Sequence, residues 1–212
     1  FHKTVLMNGH WIRHLPDWRA FRTFFPHFWS LSKDRKDDTL LGAVVDAFAE
    51  DGITFVPATE FVPEILVKPG TITKRQPTKA ELKDIEFGWK IAKKIGEVDI
   101  GQSVAVKGQA VLAVEAIEGT DACIRRAGEL CKAGGFTIVK VAKPQQDMRF
   151  DVPTIGKGTV DSLVKAGAKV LAVEADKTIF LDQDEVITLA DKHQLVITAI
   201  HHASAEQLRD AA

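Results

Sequence analysis

The sequence predicts an α/β protein in two units: an incomplete Rossmann-like layer over residues 1–74 and a mixed α/β domain over residues 75–212 that carries the catalytic motifs. Three observations predict it. Aromatics crowd the early chain (Trp11, Trp18, Phe21, Phe24, Phe25, Phe28, Trp29, Phe48, Phe55, Phe61), whereas the later part is built from Val, Ile, Leu and Ala. A polar, proline-containing run over 71–77 separates the two compositions, and such runs punctuate structure. Beyond it, short β-branched runs alternate with stretches of helical periodicity, the order expected of an α/β layer.

In the first unit, residues 4–7 read as a short strand ending at Gly9, and 17–29 place Trp18, Phe21, Phe25 and Phe28 at helical spacing. A helix over 38–50 is expected to bury Leu41, Val44, Val45 and Phe48 and to stop at Gly52, with a strand over 53–56 after it. The second unit opens on a capping-box pair, Thr78 and Glu81, followed by a stripe of Leu82, Ile85, Trp89 and Ala92 and closed by Lys93, Lys94 and Gly96. Residues 103–107 and 110–115 read as a hairpin around Gly108-Gln109, where a leading Gly suits a type II′ turn. A helix over 120–132, a strand over 136–141, a charged loop and a helix over 158–166 come next. Strands over 169–173 and 178–181, a helix over 182–193 and a strand over 195–198 complete the unit.

The chain has 212 residues and a net charge of −1. Bulk charge therefore gives no reason to expect nucleic acid, and an anion site has to be local. Cys123 and Cys131 lie eight apart in one predicted helix, about 12 Å by helix rise, beyond disulfide reach. A reducing, cytoplasmic setting is expected. No apolar run is long enough to span a bilayer, and Phe1 is not an initiator, so the chain is expected to begin inside a longer protein. Of the seven histidines, His201 and His202 are adjacent near a terminus, and no zinc site is expected. Neither a G-x-G-x-x-G nor a P-loop sequence occurs.

The run K-P-Q-Q-D-M-R-F-D-V-P-T-I-G-K-G-T from Lys143 mixes cations, carboxylates and helix-breaking residues. Pro144 and Pro153 keep it from being a continuous helix or a central strand, so it is loop. Lys143 and Arg149 can meet anionic oxygens, and Gly156 and Gly158 let a backbone approach a ligand. Asp147 and Asp151 can hold a hard cation such as Mg²⁺, which keeps waters and takes one or two carboxylates; the alternative is a pair of loop-capping Asx residues. Upstream, Glu115, Glu118 and Asp121 gather at a strand-to-helix turn where Gly119 permits close approach and Thr120 can cap the helix. Arg125 and Arg126 follow; Arg125 is the better candidate for a phosphate, and Arg126 for a surface ion pair. The cysteines, on an apolar face with Ala127 and Leu130, read as core residues rather than nucleophiles. The early aromatics suit either acyl chains at a membrane surface or a helix packed on a sheet.

These runs resemble the bacterial UDP-2,3-diacylglucosamine pyrophosphatases of the LpxI type. The similarity is carried by G-Q-S-V-A-V-K from Gly101, V-L-A-V-E-A-I-E-G-T-D-A from Val111, I-R-R from Ile124, V-K-V-A-K-P-Q-Q-D-M-R-F-D-V-P-T-I-G from Val139 and A-V-E-A from Ala172, with D-D-T-L-L at Asp37 continuing it weakly. Relative to that family the chain lacks an opening strand and glycine-rich turn. Gln145 stands where the family has Gly, a place that can demand positive φ, and Cys123 stands where Met is common.

The resemblance implies a cytoplasmic hydrolase of lipid A synthesis, associated peripherally with the inner membrane. With Mg²⁺, water would attack the α-phosphorus of UDP-2,3-diacylglucosamine to give UMP and lipid X, the acylated sugar 1-phosphate. The implied catalytic residues are Asp151, Asp147 and Lys143, with both Asp residues as metal ligands; Gln102, Glu118, Thr120, Asp121, Arg125, Arg149 and Thr154 are the substrate-binding set. The implied partners are the UDP-linked diacylated glucosamine or lipid X, a membrane surface and, in a homodimer, a second copy of the chain. The competing expectation is a sugar-nucleotide or lipid-phosphate binding protein without turnover.

Overall fold

The computed structural model describes Trp18 and residues 37–201. The expected strand over 4–7 and helix over 17–29 fall outside the described residues, apart from Trp18, which is helical. The chain divides into two units, Phe1–Ala58 and Thr59–Ala212. Residues 59–74, which sequence composition groups with the first unit, fall with the second, because Gly70–Thr71 is an edge strand of its sheet.

In the first unit, α1 spans Asp37–Glu50. It ends where Gly52, at φ 80, lets Gly52 N–H reach Ala49 O and Ile53 N–H reach Phe48 O at 3.0 Å, a complete Schellman stop. Val45 is buried, but Phe48 is 42% exposed rather than core and leans on the Phe55 ring at 5.5 Å. Residues 53–56 are not a strand. They find no ladder partner among the described residues, and an apolar run without a partner strand stays irregular.

The second unit is a six-stranded sheet flanked by helices. Its strands are β1 (Gly70–Thr71), β2 (Ser103–Lys107), β3 (Ala110–Val114), β4 (Thr137–Lys140), β6 (Val170–Glu174) and β8 (Val196–Ile200). They lie in the order β1-β8-β6-β4-β2-β3, with β4, β6 and β8 parallel and the others antiparallel to their neighbours. The remaining strands, β5 (Thr154–Ile155) and β7 (Ile179–Phe180), form a small parallel pair. The helices are α2 (Lys79–Glu97), α3 (Thr120–Leu130), α4 (Lys157–Ala166) and α5 (Gln183–Lys192).

Alternation along the strands sorts the core into two layers. Val104, Val106, Val139, Val170, Ala172 and Val196 meet Ile85, Trp89 and Ala92 of α2. Ala105, Ile138, Leu171, Val173 and Ile197 meet Cys123, Ile124 and Ala127 of α3, Val160 and Leu163 of α4, and Val186 and Ala190 of α5. Leu130 does not join that layer and is 64% exposed, because α3 ends there and Cys131 caps it. The capping box forms as the sequence predicts, and Arg75 grips the same Glu81 carboxylate with both Nη atoms. The hairpin sits where expected, but Gly108 and Gln109 both have φ of 58, so the turn is type I′, not II′. Asp84 of α2 imposes it, accepting both turn amides at 3.0 and 2.6 Å.

Candidate functional site

The charged residues converge at the carboxyl ends of β4 and β6, where ligands of parallel sheets bind. Lys140 ends β4 and Glu174 ends β6, and alternation sends them to opposite faces. Lys140 points to the α3 side. It is only 7% exposed, and its Nζ donates to Thr154 O at 3.0 Å. Burial holds this ammonium below its usual pKa, while Glu115, Asp121 and Asp151 pull the other way. A desolvated lysine facing three carboxylates is a functional-site arrangement.

Opposite Lys140 in the ladder is Ser103 of β2. Thr120 Oγ1 donates to Glu115 Oε2 at 3.1 Å and lies 3.3 Å from Ser103 Oγ. Since the Thr120 proton goes to Glu115, Ser103 is the donor of the second bond. A hydroxyl chain therefore runs Ser103, Thr120, Glu115. Thr120 is not the helix cap that the sequence suggests: the N-cap is Gly119, at φ 85, with no side-chain cap, and the hydroxyl serves the site instead. Glu118 accepts from Ala116 N–H at 3.2 Å and pairs with Arg126 at 2.8 Å, while Arg126 also donates to Val114 O. Arg126 thus closes the turn as a surface ion pair. Arg125 lines an open groove between α3 and α4, with Lys132, Lys165 and Lys169, and Asp121 stands where that groove meets the Lys140 site.

The charged loop begins where the β ladder stops. Val141 N–H donates to Gln102 O at 3.0 Å, and Gln102 Oε1 is buried without a hydrogen-bond partner. Lys143 N–H donates to Gln146 Oε1 at 2.9 Å, and Gln146 Nε2 donates to Asp151 Oδ2 at 2.7 Å. Lys143 Nζ pairs with Asp99 at 2.7 Å, beyond the end of α2. Arg149 forks onto Asp147, with Nε 2.9 Å from Oδ1 and Nη2 2.6 Å from Oδ2, which holds the Asp147 carboxyl below its usual pKa. Asp151 N–H donates to Asp147 O at 3.1 Å, so one hydrogen-bonded turn of the loop joins the two acids. Thr154 gives Lys140 its carbonyl and turns its hydroxyl to Val152 O at 3.0 Å. Gln145 does not adopt positive φ; its amide donates to Gly96 O and Glu97 O at 2.9 and 3.2 Å. The loop shape therefore accommodates a side chain at that position.

The structure thus brings together Asp151, Thr120, Asp121 and Thr154 around Lys140 and Glu115, and leaves Lys143, Arg149 and Arg126 on ion pairs at the rim. Lys140, Ser103 and Gln146 lie outside the site residues that the sequence singles out, and Glu115 stands there only as one of a group of carboxylates. The available signal was a lysine ending a run of Ile and Val, an expensive place for a charge. Cys123 is fully buried, and burial next to Glu115 pushes its thiol up to about 11, as fits a core residue. Among the described residues no group of three or more His, Cys, Asp or Glu is placed to hold a metal, and no helix is long and apolar enough to cross a membrane.

Residues 68–198 match the family model of the LpxI C-terminal domain, and residues 2–65 that of the LpxI N-terminal domain. A curated relative, the UDP-2,3-diacylglucosamine pyrophosphatase LpxI of Caulobacter vibrioides, is 36% identical over 171 residues. That alignment covers 77% of this chain and 61% of the relative, so the chain spans less than two thirds of the length of the relative it matches.

Proposed function

Because the chain belongs to the LpxI family, we propose that it hydrolyses the pyrophosphate bond of UDP-2,3-diacylglucosamine, releasing UMP and lipid X. The observation that carries this reading is the gathering of Ser103, Glu115, Thr120 and Asp151 about a buried Lys140 at the sheet's carboxyl edge. Breaking a phosphoanhydride leaves little covalent work for the protein; positioning and charge stabilisation do most of it. Lys140 supplies fixed positive charge in a desolvated place, where it is worth more than in water. Glu115 ends the Ser103–Thr120 hydroxyl chain on a carboxylate, the acceptor that a hydrolytic water needs.

Asp147 and Asp151 are the carboxylates that would hold Mg²⁺. Such an ion is held by one or two carboxylates together with substrate phosphates and waters, and Asp147 and Asp151 stand on one turn of the loop. When bound, it would polarise the phosphoryl oxygens and lower the pKa of a bound water. Arg149, now on Asp147, would then share its fork with a phosphate oxygen. The two acyl chains of the substrate make a membrane surface its source.

The test is UMP release from UDP-2,3-diacylglucosamine by the full chain, with Mg²⁺ and with excess EDTA. Metal-dependent turnover is expected. Saturable binding of the nucleotide lipid with no UMP would make the chain a sugar-nucleotide binding protein instead.

A further inference from the structure

The A-V-E-A run that ends β6 takes no part in the chemistry above, yet its Glu174 is 3% exposed and accepts two hydrogen bonds on one carboxylate oxygen. We propose that Lys93 and Glu174 are positioning residues that fix the charged loop, and through it Asp151, by bracketing the peptide unit at Ala142. The inference rests on the hydrolase reading of the site. Glu174 Oε2 accepts from Ala142 N–H at 2.9 Å and from Lys93 Nζ at 2.6 Å, while Lys93 Nζ donates to Ala142 O at 2.9 Å. One ion pair thus satisfies both backbone groups of residue 142. Lys177 steadies the other carboxylate oxygen at 3.1 Å, and Lys93 lies over the Trp89 ring at 5.4 Å.

The place of this bracket gives it meaning. The ladder ends at Val141, and neither helix nor longer strand orders the chain until β5, so side chains must do what a ladder would. From the bracketed Ala142 the next N–H, at Lys143, goes to Gln146, whose amide goes on to Asp151 Oδ2. Two hydrogen bonds beyond the bracketed residue thus connect it with the Asp151 carboxylate, which is assigned to the site. A well-packed apolar pair would be no less stable in a core than a buried ion pair; what it lacks is a donor and an acceptor for Ala142.

Amide hydrogen exchange by NMR, together with steady-state UMP release, tests the bracket in Glu174→Leu, Glu174→Gln and Lys93→Met. In Glu174→Leu the amides of Ala142 and Lys143 should exchange at least tenfold faster, with amides of β4 and β6 unchanged. Glu174→Gln keeps an acceptor for Ala142 N–H and should restore protection at that amide toward wild type. In Lys93→Met and Glu174→Leu, kcat should fall at least tenfold with KM within threefold, since neither residue touches substrate. If Glu174→Leu does not fold, Lys93→Met decides the matter, its Lys143 amide exchanging at least tenfold faster as Ala142 O loses its donor. Unchanged exchange at Ala142 and Lys143 in folded Glu174→Leu, or in folded Lys93→Met, overturns the bracket, and so does a loosened loop with unchanged kcat. A wild-type chain that releases no UMP sinks the hydrolase reading, while the exchange data still decide the bracket.

Discussion

Replacing Lys140 with Met removes a charge and keeps most of the side-chain volume, and the structure gives opposite expectations for stability and for activity. The one hydrogen bond lost is that to Thr154 O at 3.0 Å, a contribution of about 1–3 kcal/mol for a charged donor. Against it stands relief of the desolvation that holds the ammonium below its usual pKa despite three nearby carboxylates. The net loss at pH 7 should therefore stay below about 2 kcal/mol, whereas breaking a well-compensated buried pair costs about 3–5 kcal/mol. Turnover should fall at least ~10²-fold, as when a preorganised electrostatic group is removed from a site. The pH dependence has a definite sign. The folded-state pKa of Lys140 lies below the unfolded value of 10.5, so between the two the unfolded chain binds more protons and wild-type stability rises with pH. Met lacks that rise, so its stability relative to wild type is highest near neutral pH and declines toward pH 10.5. Urea unfolding from pH 7 to 10.5 and UMP release read both effects. A variant that turns over at the wild-type rate, or that loses more than about 3 kcal/mol, would refute the reasoning and make Lys140 a structural cross-link.

Further outcomes follow from the same geometry. Asp151→Asn keeps an oxygen for the Gln146 amide, so its melting temperature should stay within a few degrees of wild type while UMP release drops ~10²-fold; wild-type turnover would reduce Asp151 to a loop cap. Cys123, fully buried with its thiol pushed up to about 11, should resist iodoacetamide at pH 8 until the chain is unfolded, as mass spectrometry would show. In Gly88→Ala, the new Cβ would stand 2.7 Å from Val139 Cγ2. That overpacking should cost about 1–3 kcal/mol in urea unfolding, with Val139→Ala recovering part of it; a neutral Gly88→Ala would mean that α2 shifts freely on the sheet.

What the sequence shows and what it hides divide along the range of the interactions. The capping box of α2 and the glycine stop of α1 are local, and both are legible. The hairpin is legible in place but not in turn type, because its amides are held by Asp84, 24 and 25 residues away. The run over 53–56 has strand composition but no partner strand. Thr120 looks like a helix cap until folding brings Ser103 and Glu115 to its hydroxyl. The same rule governs the site: a dense charged loop and an E-G-T-D turn mark it, whereas Lys140 and Glu174 pass as strand ends. Their partners, Thr154 and Lys93, lie 14 and 81 residues away. Only β4 and β6 lying side by side give these two charges their meaning.

The most direct measurement is hydrolysis of UDP-2,3-diacylglucosamine by the full chain in H₂¹⁸O with Mg²⁺, followed by mass spectrometry of both products. Water attack at the α-phosphorus predicts one ¹⁸O in UMP and none in the acylated sugar 1-phosphate. Label in the sugar phosphate, or no cleavage at all, would contradict the account.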